Sequence, residues 1–178
     1  MKIEIPYGRT VLSADIPDER VGAVLNNRLH DYEPPAAADV LVEQALASPI
    51  GSPPLCELAK GKKNVVILAS DHTRPVPSKA IMPAMLREIR RFNPQVKITI
   101  LIATGCHRES TREELVHKFG REICEQETIA IHDCLKDSMV DYGVLPSGAP
   151  LSVNRIGAQA DLLVAEGFIE PHFFAGFS

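Results

Sequence analysis

The chain has 178 residues, of which 45% are hydrophobic and 24% charged, with a net charge of −4; that is long enough to bury a sizeable core and ordinary for a globular protein. Without a basic segment, nucleic acid is a poor partner, and no apolar run reaches membrane-spanning length. The opening Met1-Lys2-Ile3-Glu4-Ile5-Pro6 carries an acid where a signal peptide is apolar. The four cysteines, Cys56, Cys106, Cys124 and Cys134, lack C-x-x-C spacing and read as reduced thiols of a soluble, cytoplasmic protein.

In chain order, Lys2 to Ile5 alternates polar and apolar, Tyr7-Gly8 can turn, and Thr10-Val11-Leu12 returns, which predicts a hairpin. A connector with Pro34 and Pro35 leads to a helix over 36–47, with apolar positions Val40, Leu41, Ala45 and Leu46. After the breakers Pro49, Gly51, Pro53 and Pro54, one or two helical turns fit 55–60. Asn64 to Ala69 is a short apolar run rich in β-branched residues, the pattern of a strand buried on both faces. Ser78 is an expected N-cap for a helix reaching about Phe92, with Pro83 kinking or delaying its start. Val96 to Ile102 repeats the buried-strand pattern, so strand, helix and strand form a βαβ unit. Thr111-Arg112-Glu113-Glu114 fits a capping box opening another helix, with Gly120 as its stop. Short strands are expected at 128–132, 139–144 and 161–165. The fold class expected is α/β, a largely parallel central sheet flanked by helices with an N-terminal β-hairpin.

In parallel α/β sheets ligands collect at the carboxyl ends of strands. Three expected strands run into polar loops there: Ser70-Asp71-His72-Thr73-Arg74-Pro75, Ala103-Thr104-Gly105-Cys106-His107-Arg108, and Glu166-Gly167-Phe168-Ile169-Glu170-Pro171-His172. Arg74 offers a planar fork for a carboxylate or phosphate. His107 and His172 are the groups best suited to acid–base work near neutral pH. Thr104-Gly105 can bring backbone N–H groups close to an anion, and Asp71 can accept from a ligand hydroxyl or orient a neighbouring side chain. Against each stands a bland role: an Asx turn for Asp71, an ion pair for Arg74, a partly exposed polar loop residue for each histidine. His30, His117 and His132 read as structural or solvated. No Walker or Rossmann fingerprint is present, and the spacing of His107, His172 and Asp71 fits no zinc motif. Cys106 beside His107 could suggest a nucleophile pair, but sequence neighbours seldom reach that geometry.

At these loops the chain resembles the lactate racemase family. The strings that carry the resemblance are Ser70-Asp71-His72-Thr73-Arg74-Pro75, Thr104-Gly105-Cys106-His107-Arg108-Glu109-Ser110-Thr111, and the long run from Glu166 through Pro171-His172-Phe173-Phe174-Ala175-Gly176-Phe177-Ser178. The match is collinear across essentially the whole chain. The resemblance implies a two-domain racemase or epimerase of small, lactate-like 2-hydroxyacids, using a nickel-pincer nucleotide as hydride acceptor. It implies His107 and His172 as paired acid–bases and Arg74 as the binder of the substrate carboxylate. Asp71, Thr73, Thr104 and Gly105 would shape the cofactor region. Relatives continue past the final string with two glycines, the lysine that attaches the cofactor, the histidine that ligates nickel, and a second domain. Residues 1–178 are therefore expected to be a single N-terminal catalytic-type α/β domain, incomplete without a C-terminal domain, providing no metal ligand and inactive alone. The alternative function is a non-catalytic module that binds a nucleotide or hydroxyacid.

Overall fold

The computed structural model describes every residue except Ala175 and Ser178, with Leu29 and His30 described for the backbone only, so the expectation for the His30 side chain lies outside the described residues. The chain divides into two compact units, Met1–Pro35 and Ala36–Ser178.

In the first unit, β1 (Lys2–Tyr7) and β2 (Thr10–Asp15) pair antiparallel, from Lys2 opposite Asp15 to Tyr7 opposite Thr10. Gly8, at φ +59, supplies the left-handed turn. This is the expected hairpin, extended by three residues in β2. Single 3-10 turns follow at Asp18–Arg20 and Arg28–Asp31.

The second unit opens with α1 (Ala38–Ala47) and α2 (Leu55–Ala59). Next come β3 (Asn64–Ser70), α3 (Ser78–Arg90), β4 (Lys97–Ala103), α4 (Arg112–Phe119), α5 (Arg121–Gln126) and β5 (Thr128–Ile131). The chain then forms β6 (Met139–Val144), β7 (Pro150–Asn154), α6 (Arg155–Ala158) and β8 (Leu162–Ala165), and ends in the two-residue strands β9 (Pro171–His172) and β10 (Gly176–Phe177). The central sheet has the order β5-β4-β3-β8 and is parallel throughout. The chain moves outward from β3 to β4 to β5, then returns to place β8 on the other side of β3. That reversal opens a crevice at the carboxyl ends of β3 and β8, where open α/β sheets bind ligands.

The alternation of side chains along the strands separates two faces. On one face Val65, Ile67 and Ala69 of β3 stand beside Ile98, Ile100 and Ile102 of β4, and this face joins Met82, Met85, Leu86 and Ile89 of α3 in the main core. The i, i+3, i+4, i+7 spacing of those four residues is what gives α3 its apolar stripe. On the other face α6 approaches closely: a Cβ at Gly157 would lie 3.9 Å from both Leu101 and Leu163. Polar pins fix the frame. Asp161 Oδ2 accepts from the backbone N–H groups of Lys63 and Asn64, each at 2.9 Å, setting β8 against the start of β3. Arg90 at the end of α3 donates two parallel bonds to Glu127, at 2.6 and 2.8 Å, tying α3 to the segment after α5.

The α/β architecture matches expectation, with four local differences. Ser78 does not cap α3; it is the first helical residue after Pro77, and its hydroxyl is drawn 88 positions along the chain to Glu166. Pro83 lies within α3 rather than delaying its start, at an exposed position one turn after the exposed Lys79, whose carbonyl it cannot serve. Gly120, at φ +90, ends α4 as expected but is followed at once by α5. The strand at 139–144 is not part of the parallel sheet: β6 pairs antiparallel with β7, which the Pro- and Gly-containing sequence concealed, in a separate ribbon. The capping box at Thr111 is present, with both of its reciprocal bonds. No helix among the described residues is long and apolar enough to cross a membrane.

Candidate functional site

The β3 and β4 ends carry the polar centre. Asp71 follows β3 directly and is 2% exposed. Its Oδ1 accepts from the Thr73 backbone N–H at 3.0 Å and the Thr73 hydroxyl at 2.6 Å, and its Oδ2 lies 2.6 Å from His107 Nδ1. Burial by itself would raise the Asp71 carboxyl, but the bonds from Thr73 and His107 outweigh it and hold the group below the ordinary aspartate value. An ionised carboxylate can only accept, so His107 Nδ1 donates to it, and Nε2 is the ring nitrogen left for another partner. The His107 side chain is 50% exposed while the Asp71 side chain is 3% exposed: a buried anion steadies a histidine open to solvent.

His107 reaches this position because the loop after β4 turns at once. Gly105, at φ +58, takes a conformation that disfavours L side chains, and His107 N bonds the Thr104 carbonyl at 3.0 Å. The Thr104 hydroxyl, 2% exposed, donates to the His132 carbonyl and locks this loop to the one after β5.

A cleft of about 420 Å³ opens over these groups, lined by Asp71, Arg74, Thr104, Gly105, His107 and Glu166, among others. A second, of about 690 Å³, adjoins it and is lined by His72, Thr73, Arg74, Lys79, His117 and Lys118, among others. Arg74 borders both. Beneath them, Lys118 donates to Ser70 Oγ at 3.2 Å and to the Arg74 carbonyl at 3.3 Å. Burial draws the Lys118 ammonium below the usual lysine range, against the pull of the Glu166 and Asp71 carboxylates. Glu166 accepts from Ser78 at 2.6 Å through one oxygen, while its other oxygen is buried without a partner. Burial raises the Glu166 carboxyl, and Ser78 and Lys118 only partly oppose it. At the rim, Arg108 forks onto Glu114 at 2.9 and 2.6 Å and, with the Thr111 N–H, holds Glu114 at about 2. His72 is fixed between Ser110 Oγ at 3.0 Å and Glu114 at 3.7 Å.

Asp71, Thr73, Arg74, Thr104, Gly105 and His107 are thus gathered in one region. His172 is placed otherwise: it stands in β9, packed against Phe173 and Phe174 with ring centroids 4.9 and 4.2 Å away, and lines neither cleft. Sequence reasoning passed over Lys118, Ser78 and the role of Glu166. Lys118 sits on the same helical side as Leu115 and Phe119, and a charge among core positions was the available signal.

The larger cleft offers donors that could hold an anionic phosphate, with the carboxylates of Glu113 and Glu114 on its wall as acceptors. Arg74, Lys79 and Lys118 supply positive charge in the larger cleft, and the unpartnered Glu166 oxygen marks polar capacity left over in the smaller one. Among the described residues no group of three metal-ligating side chains converges.

Comparison with known proteins follows the same lines. The lactate racemase of Thermoanaerobacterium thermosaccharolyticum is 50% identical over 177 residues, 99% of this chain and 42% of that protein. The lactate racemase of Lactiplantibacillus plantarum is 49% identical over the same extent. The structure of the T. thermosaccharolyticum lactate racemase apoprotein matches with a TM-score of 0.83 and 48% identity, covering 100% of this chain and 41% of that one. A Thermotoga maritima protein, 20% identical with a TM-score of 0.62 over 81% of this chain and 36% of that one, shares the fold. The chain spans about two fifths of the length of the curated relatives it matches. The model of the lactate racemase N-terminal domain matches residues 7–178, and the chain belongs to that family.

Proposed function

We propose that this chain is the N-terminal part of a racemase or epimerase of small, lactate-like 2-hydroxyacids. The observation that carries the reading is the Asp71–His107 pair at a cleft bordered by Arg74, in a chain half identical to lactate racemases.

Arg74 binds the substrate carboxylate through its planar fork. His107 Nε2 takes the hydroxyl proton, and buried Asp71 stabilises the imidazolium that results. His172 serves the opposite face of the substrate carbon, which requires the Pro171–Phe177 stretch to bring it to the same cleft. A nickel-pincer nucleotide, when bound, supplies a hydride acceptor, which spares the site from removing the weakly acidic α-hydrogen as a proton. Thr73 and the Thr104–Gly105 backbone would help to hold it. The Asp71 carboxylate is committed to His107 and Thr73, and so contributes there through the histidine it orients. On this reading the lysine that attaches the cofactor, the histidine that ligates nickel and a C-terminal domain would lie outside residues 1–178.

The test is racemisation of single-enantiomer 2-hydroxyacids by the full-length protein, made where the cofactor is assembled. Arg74→Ala should raise KM far more than it lowers kcat, because it removes a contact made to substrate and transition state alike. Hydroxyacid binding that depends on Arg74 without any turnover would favour the non-catalytic module instead.

A further inference from the structure

We propose that Cys106 and Cys134 are a peroxide-sensitive dithiol pair, whose conversion to a disulfide ties down the loop that carries His107. Cys56 and Cys124 are buried, whereas Cys106 and Cys134 are exposed and all four are free. The two exposed thiols stand on loops leaving the same edge of the sheet. β4 and β5 are parallel neighbours with Ile102 opposite Ile131, strands so paired lie about 4.8 Å apart, and Cys106 and Cys134 follow within a few residues of these positions. The two loops are joined at their roots: His132 N donates to the Ile102 carbonyl at 3.0 Å, and the Thr104 hydroxyl donates to the His132 carbonyl. Cys134 is then presented by a turn in which Asp133 Oδ1 accepts from the N–H groups of Leu135 and Lys136, at 2.9 and 3.1 Å. Local desolvation first, and then the Cys106 sulfur, hold the Cys134 proton more tightly than usual. Cys106 lines the smaller cleft, within reach of a small oxidant, and is therefore the attacking sulfur, with Cys134 the resolving one.

The chemistry balances with a hydroperoxide as oxidant. The Cys106 thiolate attacks one oxygen of hydrogen peroxide, the O–O bond breaks, and a sulfenic acid and one water result. The Cys134 sulfur then attacks the Cys106 sulfur, the S–O bond breaks, and a second water leaves. The two thiol hydrogens and two electrons end in the two waters, and the disulfide remains. Cys106 lines the smaller cleft and is bonded directly to His107, so the cross-link restrains the peptide that aims the imidazole. That consequence rests on the role proposed for His107; formation of the bond does not.

The full-length protein, treated with hydrogen peroxide and digested without reduction, should yield a Cys106–Cys134 linked peptide lacking two hydrogens, with Cys56 and Cys124 still free. Dithiothreitol should reverse the link. Cys134→Ser should give no link and leave Cys106 to oxidise onward to sulfinic acid. In the racemisation assay the oxidised protein should lose most of its activity and regain it with dithiothreitol. Failure to find the linked peptide, or its appearance at equal yield through Cys56 or Cys124, overturns the pair. A linked peptide with undiminished racemisation overturns the restraint on His107. Absence of racemisation in the untreated protein counts against the proposed function and leaves the peptide result to decide the pair.

Discussion

His107 and His172 sit in two different kinds of structure. His107 follows a strand whose residues Ile100 and Ile102 are fully buried, in a loop closed by Gly105, and its ring is steadied by an aspartate that two further bonds hold in place. His172 sits in a two-residue strand paired only with β10, among rings of which Phe173 is 94% and Phe174 78% exposed. One histidine is held by a buried carboxylate at a strand end of the central sheet, and the other stands in a short strand among aromatic rings. Preorganisation comes from long-range partners, because a buried carboxylate keeps its charge only where several donors meet it.

The largest test of this contrast is activity. In the full-length protein His107→Ala should lower racemisation by about 10²- to 10⁴-fold, the usual worth of a positioned acid–base group. His172→Ala should lower it comparably, since each face needs its own base. An active His172→Ala protein would break the symmetry of roles and leave His107 as the one acid–base group. On stability the two should part: His107→Ala strips the buried Asp71 carboxylate of a partner and should lower the denaturation midpoint more than His172→Ala does.

Next in size is the scaffold beneath His107. Ile67 is fully buried between β4 and β8 in the core, and Ile67→Ala should cost about 2–5 kcal/mol in urea denaturation, as large-to-small core changes do. A much smaller loss would mean that this face of the sheet is less tightly packed than its burial indicates.

The two cleft carboxyls should then show opposite pH signatures. Asp71 is held below its unfolded value of about 3.9, so its contribution is present above that pH and is lost as pH falls through the folded value. Glu166 is raised above an unfolded value of about 4.3, so its contribution is complete below that pH and is lost as pH rises through the folded value. Urea midpoints measured across pH should therefore show Asp71→Asn flattening the acid limb, and Glu166→Gln gaining on the parent above the Glu166 titration. The reverse pattern would show that Asp71 is not the ionised partner of His107.

The smallest effect belongs to the helix beside the rim. Thr111→Ala removes one half of the capping box and should cost about 1 kcal/mol. A thermal melt resolves such a change, and a null result would mean that the Glu114 bonds to Arg108 and Thr111 N carry the helix start alone.

The local signals in the sequence were legible where local physics decides. The β-branched runs at 64–69 and 96–102 became β3 and β4 within a residue or two, and the Thr111 capping box appeared as spaced. Ser78 was misjudged because its hydroxyl is satisfied by Glu166, a partner that local spacing does not reveal. β7 escaped because Pro150 and the Gly148 turn hide a strand that exists only by pairing with β6. In the candidate site, residue types and strand-end positions named Asp71, Arg74 and His107 as candidates, yet left Asp71 open between a turn residue, a ligand contact and an orienting group.

By itself the sequence determined the α/β class, the strand-end loops and the family likeness, because periodicity, turn residues and long collinear motifs are written residue by residue. Only the tertiary structure decided that Asp71 carries His107, that Lys118 and Glu166 line the clefts, and that the loops bearing Cys106 and Cys134 are neighbours. Those facts depend on the order β5-β4-β3-β8, and strand order is set by which distant surfaces bury one another, a choice that no local window of sequence contains.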